Sequence, residues 1–342
     1  MASNLPRLSW KSLSLKLQNP WRVAYGASEM RQAFWLRLAG DAGWGEGTIP
    51  PYYGVQTEAM AAFWQLAAER RDPLPDDPAE IGGWVGDQGP APARAALDLA
   101  LHDRIGRQEK KPLYELLNLP KPAPMLTSYT IGIDTPQAMA QSAKQVSDFP
   151  FIKIKLGGDD DLACLAAVRE ARPDARLCVD ANAAWSTAEA LEKSRALVDF
   201  DLDFIEQPVA RDNFEGMGLV QAASTVPIVA DESVQTAQDL ERLAAAGVQG
   251  INLKLMKVGG LAPGVALIKR AQALGLRIML GCMIETSLGV TAVAHLSGLA
   301  EWLDLDAPLL IANDPFEGIL FDEHARIYLP DRPGIGVRLR EQ

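Results

Sequence analysis

Cysteine is scarce in this chain: three in 342 residues, Cys164, Cys178 and Cys282. They lack both the paired spacing of a metal knuckle and the density of a disulfide scaffold. They read as reduced core residues of a cytoplasmic protein. Histidine is as rare, and His102, His295 and His324 do not fall at the ends of strand-like runs. A histidine-based mechanism is therefore not expected. No run of about 18 apolar residues occurs, which excludes an obvious helical membrane span. The opening MASNLPRLSW has no basic stretch followed by an apolar one, which argues against a secretory leader. No glycine-rich nucleotide fingerprint follows a strand. Positive charge is in deficit, 33 Lys and Arg against 44 Asp and Glu, a formal net charge of −11. Phosphate backbones demand a concentrated basic surface, so nucleic acid is not an expected partner.

What is present is apolar material, 48% of the chain, in two textures. Residues 8–18 and 33–39 partly alternate apolar and polar, as half-buried strands do. Gly40 and Gly43 flank the turn into a further strand carrying Trp44 and Glu46. Residues 57–71 and 91–107 have helical spacing, and Pro90 and Pro92 stand where a helix start tolerates them. This predicts an α+β unit over 1–120, to which the strand-bearing segment 316–342 returns. The proline-rich stretch 118–124 reads as a linker. From 125 onward, short apolar runs alternate regularly with helical patterns. Strands are expected near 126–131, 151–156, 176–180, 203–206, 227–231, 250–255, 277–282 and 302–305. Helices are expected near 136–147, 160–171, 187–199, 214–224, 236–246, 261–274 and 288–299. Eight such units predict a (β/α)8 barrel over 121–315.

Charged residues recur at the ends of those strands. The steps Lys155 to Asp180, Asp180 to Glu206, Glu206 to Asp231 and Asp231 to Lys254 are 25, 26, 25 and 23 residues. Each step is about one strand, helix and two loops, so all five side chains converge on the C-terminal mouth of the barrel. Three carboxylates at close range repel one another unless a cation sits among them. An all-oxygen set suits a hard ion, Mg2+ or Mn2+, better than zinc. Lys153 and Lys155 lie two apart on one strand and share a face. Lys254 comes from the sixth strand, across the barrel. A lysine desolvated near other cations is expected to have a lowered pKa and to serve as a base. Asp304 and Asp306 share a face at the eighth strand and suit a cationic substrate group, or else begin a loop. Asp159, Asp160 and Asp161 are expected to cap a helix start.

The ordered segments KIKL, VDAN, IEQP, ADES, NLKLMKVGG and GCMIETSLG resemble the enolase superfamily, in its muconate-lactonizing subgroup. The resemblance covers nearly the whole chain and identifies the first unit with the superfamily's capping domain. It implies Lys155 and Lys254 as the acid/base pair, and Asp180, Glu206 and Asp231 as ligands of Mg2+. It implies Lys153 as electrostatic support near the substrate carboxylate, with Asn182, Gln207 and Glu232 supporting the ligands. The segment LDLDAP resembles the DxD motif of dipeptide epimerases, which implies that Asp304 and Asp306 bind a dipeptide's α-ammonium. The implied reaction is inversion of the Cα of the C-terminal residue of an L,L-dipeptide through an enolate. Epimerases of the alanine–glutamate type carry an arginine in the loop after the first strand; Gly26 takes that place here, with Arg22 and Arg31 out of register. Together with Trp21, Tyr25, Tyr52 and Tyr53 in the two loops covering the substrate, and with Glu29, this points to hydrophobic or cationic dipeptides. A muconate cycloisomerase, an o-succinylbenzoate synthase, an N-acylamino acid racemase and a non-catalytic barrel are the alternatives. Superfamily members are often dimers or larger, which leaves a homo-oligomer open.

Overall fold

A computed structural model describes residues 7–341. Residues 1–6, where the stretch read for a leader begins, lie outside the described residues. The chain opens with an antiparallel sheet of β1 (Leu8–Val23), β2 (Gly26–Leu38) and β3 (Trp44–Thr48), in that order. The expected strands 8–18 and 33–39 are the paired bases of one long hairpin. Its upper part, with Trp21 opposite Ser28 and Val23 opposite Gly26, is strand where sequence periodicity predicted loop. A register shift between Lys16 and Trp21 interrupts the ladder and erases the alternation that would have marked it.

Three helices follow: α1 (Thr57–Glu69), α2 (Pro78–Val85) and α3 (Ala91–Glu109). Helix α2 was not expected, because Gly82 and Gly83 weaken its helical signal. It starts on an Asp77 cap that accepts from the Ala79 N–H. Helix α3 is buried nearly all round, and its alanines meet the glycines of β3. A Cβ at Gly45 would lie 1.9 Å from the Ala96 carbonyl oxygen, so backbone packs directly on backbone there.

Eight parallel strands form the second sheet: β4 (Tyr129–Ile131), β5 (Phe151–Lys155), β6 (Arg176–Asp180), β7 (Leu202–Glu206), β8 (Ile228–Ala230), β9 (Gly250–Leu253), β10 (Arg277–Gly281) and β11 (Trp302–Asp304). The Ser128 N–H donates to the Leu303 carbonyl at 2.9 Å and closes first strand on last. Helices from Pro136–Gln145 to Ser287–Ala294 cover the outside. The first strand is shorter than expected because Met125–Leu126 pairs instead with Arg326–Tyr328. The sixth stops at Leu253 because Lys254 begins a short helix, Leu255–Val258.

The inside of the barrel has two layers. Phe151, Cys178, Phe204, Val229, Met279 and Trp302 form an apolar plug. Two residues further along most of these strands, on the same inward face, come Lys153, Asp180, Glu206, Asp231 and Asp304. The plug excludes water from below and leaves the charged layer facing the mouth. The C-terminal segment returns across β3 and α3. Phe316 packs edge-on against Trp35 at 5.1 Å, and the Ile335 N–H donates to Asp103 at 2.8 Å.

The acidic run at 159–161 does not cap as expected. The Asp160 side chain makes no capping bond, and Asp161 accepts from the Gly157 and Gly158 N–H groups, Trp185 Nε1 and Lys193 Nζ. It fixes the loop after β5 rather than the helix end. No helix among the described residues is long and apolar enough to cross a membrane.

Gly45→Ala should lower stability by about 1–3 kcal/mol or more, since neither backbone can yield. Gly83→Ala, with nothing within 4 Å of its Cβ, should raise it by about 0.5–1 kcal/mol. Urea denaturation compares the two; equal midpoints would contradict the packing described.

Candidate active site

The βα repeat delivers one carboxylate per strand to the mouth. Asp180 and Glu206 end β6 and β7, and Asp231 follows β8 directly. All three are fully buried, and each offers an oxygen within 4.8 Å of the others. The backbone turns sharply just beyond, with positive φ at Asn182 (44°) and Gln207 (34°). These turns aim the Asn182 amide at two carboxylates and the Gln207 amide at the backbone that carries Asp231. Asn182 Nδ2 donates to Asp180 at 3.3 Å and to Glu232 at 3.2 Å. Gln207 Oε1 accepts from the Asp231 N–H at 2.8 Å, and Gln207 Nε2 donates to Ser233 Oγ.

Four lysines neutralise this layer. Lys153 Nζ lies 2.7 Å from both Glu206 and Asp304 and 3.1 Å from Asp180. Lys155 Nζ lies 2.6 Å from Asp180, and Lys254 Nζ 2.8 Å from Asp231. The fourth, Lys257, was not anticipated from sequence; its Nζ lies 2.5 Å from Asp231 Oδ1 and donates to the Asn252 carbonyl at 2.9 Å. Asn252 was also missed, and its Nδ2 holds Glu206 at 2.8 Å. The signal for Asn252 was its position two before Lys254, on the same inward face. Lys257 could be placed only by the helical turn that follows Lys254.

Asp180, Glu206, Asp231, Glu232, Asp304 and Asp306 are six buried carboxyl groups, against four buried ammonium groups. Two negative charges remain uncompensated. The excess shows in the titration of the site. Burial and the neighbouring Asp180 push Glu206 up to about 7. Burial and Asp231 push Glu232 up to about 8. Burial and Asp304 push Asp306 up to about 7. One divalent cation would cancel this excess, and three carboxylate oxygens are the donors a hard cation takes.

The expected depression of the lysines is reversed at two of them. Burial works against the charge of Lys153 and Lys254, but the adjoining carboxylates overcome it and hold both above the usual range. Charge on the carboxylates is the cause, so positive charge placed among them would remove it.

Lys155 and Lys254 enter one cavity from opposite sides of the eight-stranded barrel, four strands apart. Asn182, Asp304 and Asp306 also line it. Lys153 does not; it lies below, fully buried. Asp304 is held by Lys153, by Ser128 Oγ at 2.7 Å and by Thr130 Oγ1 at 3.3 Å, whereas Asp306 has no lysine within ion-pair distance among the described residues and accepts from Thr130, whose N–H lies at 2.7 Å. Asp306 is therefore the member of the pair with charge free for a ligand. Ser128 and Thr130, which orient both, were not foreseen.

The opening hairpin and the segment after β3 roof the cavity with Trp21, Tyr25, Arg31, Ile49 and Tyr52. Tyr53 stands behind, donating to the Glu232 carbonyl at 3.0 Å. Gly26 and Glu29 do not line the cavity; Glu29 is exposed in an outer groove with Arg22 and Met30. Arg31, set aside from sequence as out of register, does line it. Met283 and Ile284 form a further wall, fixed from the first sheet by Glu46. That fully buried carboxyl accepts from the Thr286 and Gly289 N–H groups, each at 3.0 Å. His102 and His295 are buried among backbone and core partners away from this cavity, and His324 is exposed.

The sequence pattern of the family described as Enolase C-terminal domain-like matches residues 138–342. An L-Ala-D/L-amino acid epimerase of Maribacter sp. is 32% identical over 98% of this chain and 100% of its own. An L-Ala-D/L-Glu epimerase of Bacteroides thetaiotaomicron is 36% identical over 88% of this chain and 79% of its own. Among solved structures, a dipeptide epimerase of Cytophaga hutchinsonii, complexed with Mg and the dipeptide D-Ala-L-Val, superposes with a TM-score of 0.90 at 27% identity, covering 98% of this chain and 95% of that one. The barrel, its ring of carboxylates and lysines, and these relatives agree: the chain belongs to the Enolase C-terminal domain-like family of the enolase superfamily, and it is an isomerase of the epimerase kind.

Proposed function

We propose that the chain is a dipeptide epimerase that inverts the Cα of the C-terminal residue by 1,1-proton transfer. One observation carries this reading: two lysines from opposite sides of the barrel face one cavity, between a tri-carboxylate floor and an aspartate with charge to spare. The relatives' activities support it. A substrate without an amine would leave Asp306 buried and unpaired, which disfavours cycloisomerase, succinylbenzoate synthase and acylamino acid racemase chemistry.

In this reading Asp180, Glu206 and Asp231 hold Mg2+, with Mn2+ equally suited by charge and donor type. The cation supplies positive charge to the substrate carboxylate as that group gains enolate character. Asp306 pairs with the α-ammonium and, with the floor, fixes Cα between the lysines. One lysine, as free amine, takes the Cα proton. The other, as ammonium, returns a proton to the opposite face. The plug of Phe151, Phe204 and Trp302 below and the Tyr25–Tyr52 pair above keep bulk water out. Lys153 and Lys257 act on the carboxylates and not on the substrate. The apolar walls, Trp21, Met283, Ile284 and Leu310, accommodate an aliphatic stem. Arg31 in the same lining opposes the cationic side chain expected from sequence. The three cysteines are free and suit a reducing cytoplasm.

Lys155→Ala and Lys254→Ala should each abolish epimerisation, a loss of about 10²–10⁴-fold or more. In deuterated water each variant should still exchange the α-proton of one epimer, and the two variants of opposite epimers. Proton NMR reads this; exchange of both epimers by either variant would exclude a two-lysine mechanism.

Asp306 must be ionised to pair with an ammonium, and its folded value is raised to about 7. Dipeptide affinity should therefore be present above pH 7 and be lost as the pH falls through that value. Asp306→Asn should raise KM on the order of 10²-fold and flatten this dependence. An unchanged KM–pH profile would remove Asp306 from the substrate site.

Cation binding requires Glu206 as carboxylate, and its bare value is about 7. Titrating metal-free protein with MgCl2 at pH 7 should release protons, seen as a heat that varies with the buffer's ionisation enthalpy. Glu206→Gln should abolish both binding and release. Binding without proton release would contradict the charge balance described.

A further inference from the structure

We propose that Arg31 is a substrate-binding residue that selects dipeptides bearing an anionic side chain; the proposal rests on the dipeptide reading above. Strand β2 presents alternate residues to the barrel. Ala33 is fully buried in an apolar cluster with Leu15, Ile284 and Leu310. Arg31 lies two residues earlier on the same face, opposite Leu15 in the hairpin. Its side chain lines the cavity that Lys155, Lys254 and Asp306 enter from below.

This guanidinium is unpaired. Among the described residues, no carboxylate lies within ion-pair distance of Arg31, whereas Arg104, Arg107, Arg172 and Arg176 each have an aspartate partner. It is half-buried, and that burial lowers its pKa with only Tyr25 in opposition. Its five donors stand in a planar fork that water still reaches in part, and they are available to an acceptor entering the cavity. A carboxylate is the group whose geometry the fork fits.

The described residues do not supply that carboxylate. Asp304 is committed to Lys153 and Ser128, and Asp306 lies at the Thr130 side of the cavity floor. The substrate's α-carboxylate belongs to the tri-carboxylate floor and its cation. The acceptor that suits it is a second anionic group of the substrate, and in a dipeptide that is the side chain of glutamate or aspartate. Trp21, Ile284 and Leu310, around the same cavity, suit the methylene stem of such a side chain. The guanidinium missing at Gly26 is thus delivered from a strand instead of a loop.

The test compares kcat/KM of the Mg2+-loaded enzyme for L-Ala-L-Glu and L-Glu-L-Ala with that for the neutral counterparts L-Ala-L-Gln and L-Gln-L-Ala. Wild type should prefer one glutamate dipeptide over its glutamine counterpart by about tenfold or more, and which pair shows it identifies the side chain that Arg31 meets. Arg31→Met should erase the preference, read as the ratio of kcat/KM for the glutamate and glutamine dipeptides, with circular dichroism showing that the variant is folded. If that variant is unfolded by circular dichroism, Arg31→Lys and Arg31→Gln replace it, the lysine keeping part of the preference and the glutamine losing it. Equal turnover of glutamate and glutamine dipeptides by wild type, or a preference that survives loss of the charge, overturns the proposal and leaves the epimerase reading standing. Failure of wild type to epimerise any dipeptide overturns the reading itself, and the proposal with it.

Discussion

The barrel mouth buries more negative charge than it can neutralise, and the architecture above the apolar plug follows from that imbalance. Isolated carboxylates cannot be taken out of water without a partner or a proton. Four lysines supply most of the partners, and Glu206, Glu232 and Asp306 absorb the remainder by titrating near neutrality. Such a site is poised for a cation. It is also poised for a substrate with a positive end, because a positive group beside Asp306 would offset the burial and the Asp304 charge that raise it to about 7. The lysines are tied into the same balance: the carboxylates that hold them as ammonium ions are those a cation would occupy. The carboxylates and lysines of the mouth are therefore linked through one pool of charge and not through separate contacts.

The strand period is what assembles that pool. Five of the strands place an apolar residue at the base and a charged one two positions on: Phe151 and Lys153, Cys178 and Asp180, Phe204 and Glu206, Val229 and Asp231, Trp302 and Asp304. The apolar member fills the barrel and keeps the dielectric low; the charged member is thereby strengthened in every interaction it makes. The pairing explains why the charges stay on rigid strands while the loops only orient them, as Asn182 and Gln207 do.

This arrangement also explains what could be read before any coordinates. Asp180, Glu206, Asp231, Lys155 and Lys254 recur at the length of a βα unit, and two periodicities then fix which way they point. Asn252 and Lys257 carry no such mark, because one looks like a polar strand residue and the other like a surface lysine three positions past the strand. The direction of the lysine shifts in the absence of a cation was not legible for a related reason. Sequence shows that charges converge, but the sign of the shift depends on whether a carboxylate or an ammonium is the nearer neighbour, and Asp231 at 2.8 Å decides it for Lys254. Glu46 was invisible for a further reason: its partners, Thr286 and Gly289, are some 240 residues away.

The hairpin is where sequence reasoning reached least far, and the cause is physical. The charged layer sits on strands whose inward positions are dictated by the barrel. The roof of the cavity comes largely from β1 and β2, whose upper part is held by backbone pairing and by a few contacts with the first barrel loop. The Ile133 N–H donates to the Arg22 carbonyl at 2.9 Å, and Arg22 pairs with Asp134 at 2.9 Å. Those contacts set the height and tilt of the hairpin over the mouth, and so decide that Arg31 faces inward while Glu29 faces out. No periodicity in PWRVAYGASEM encodes that rotation; it is fixed by a register shift at Lys16–Trp21 and by where the first barrel loop stands. The charged layer and the roof of the cavity therefore stand on separate elements, the first set by the strand period of the barrel and the second by how the hairpin pairs and rests on the first barrel loop.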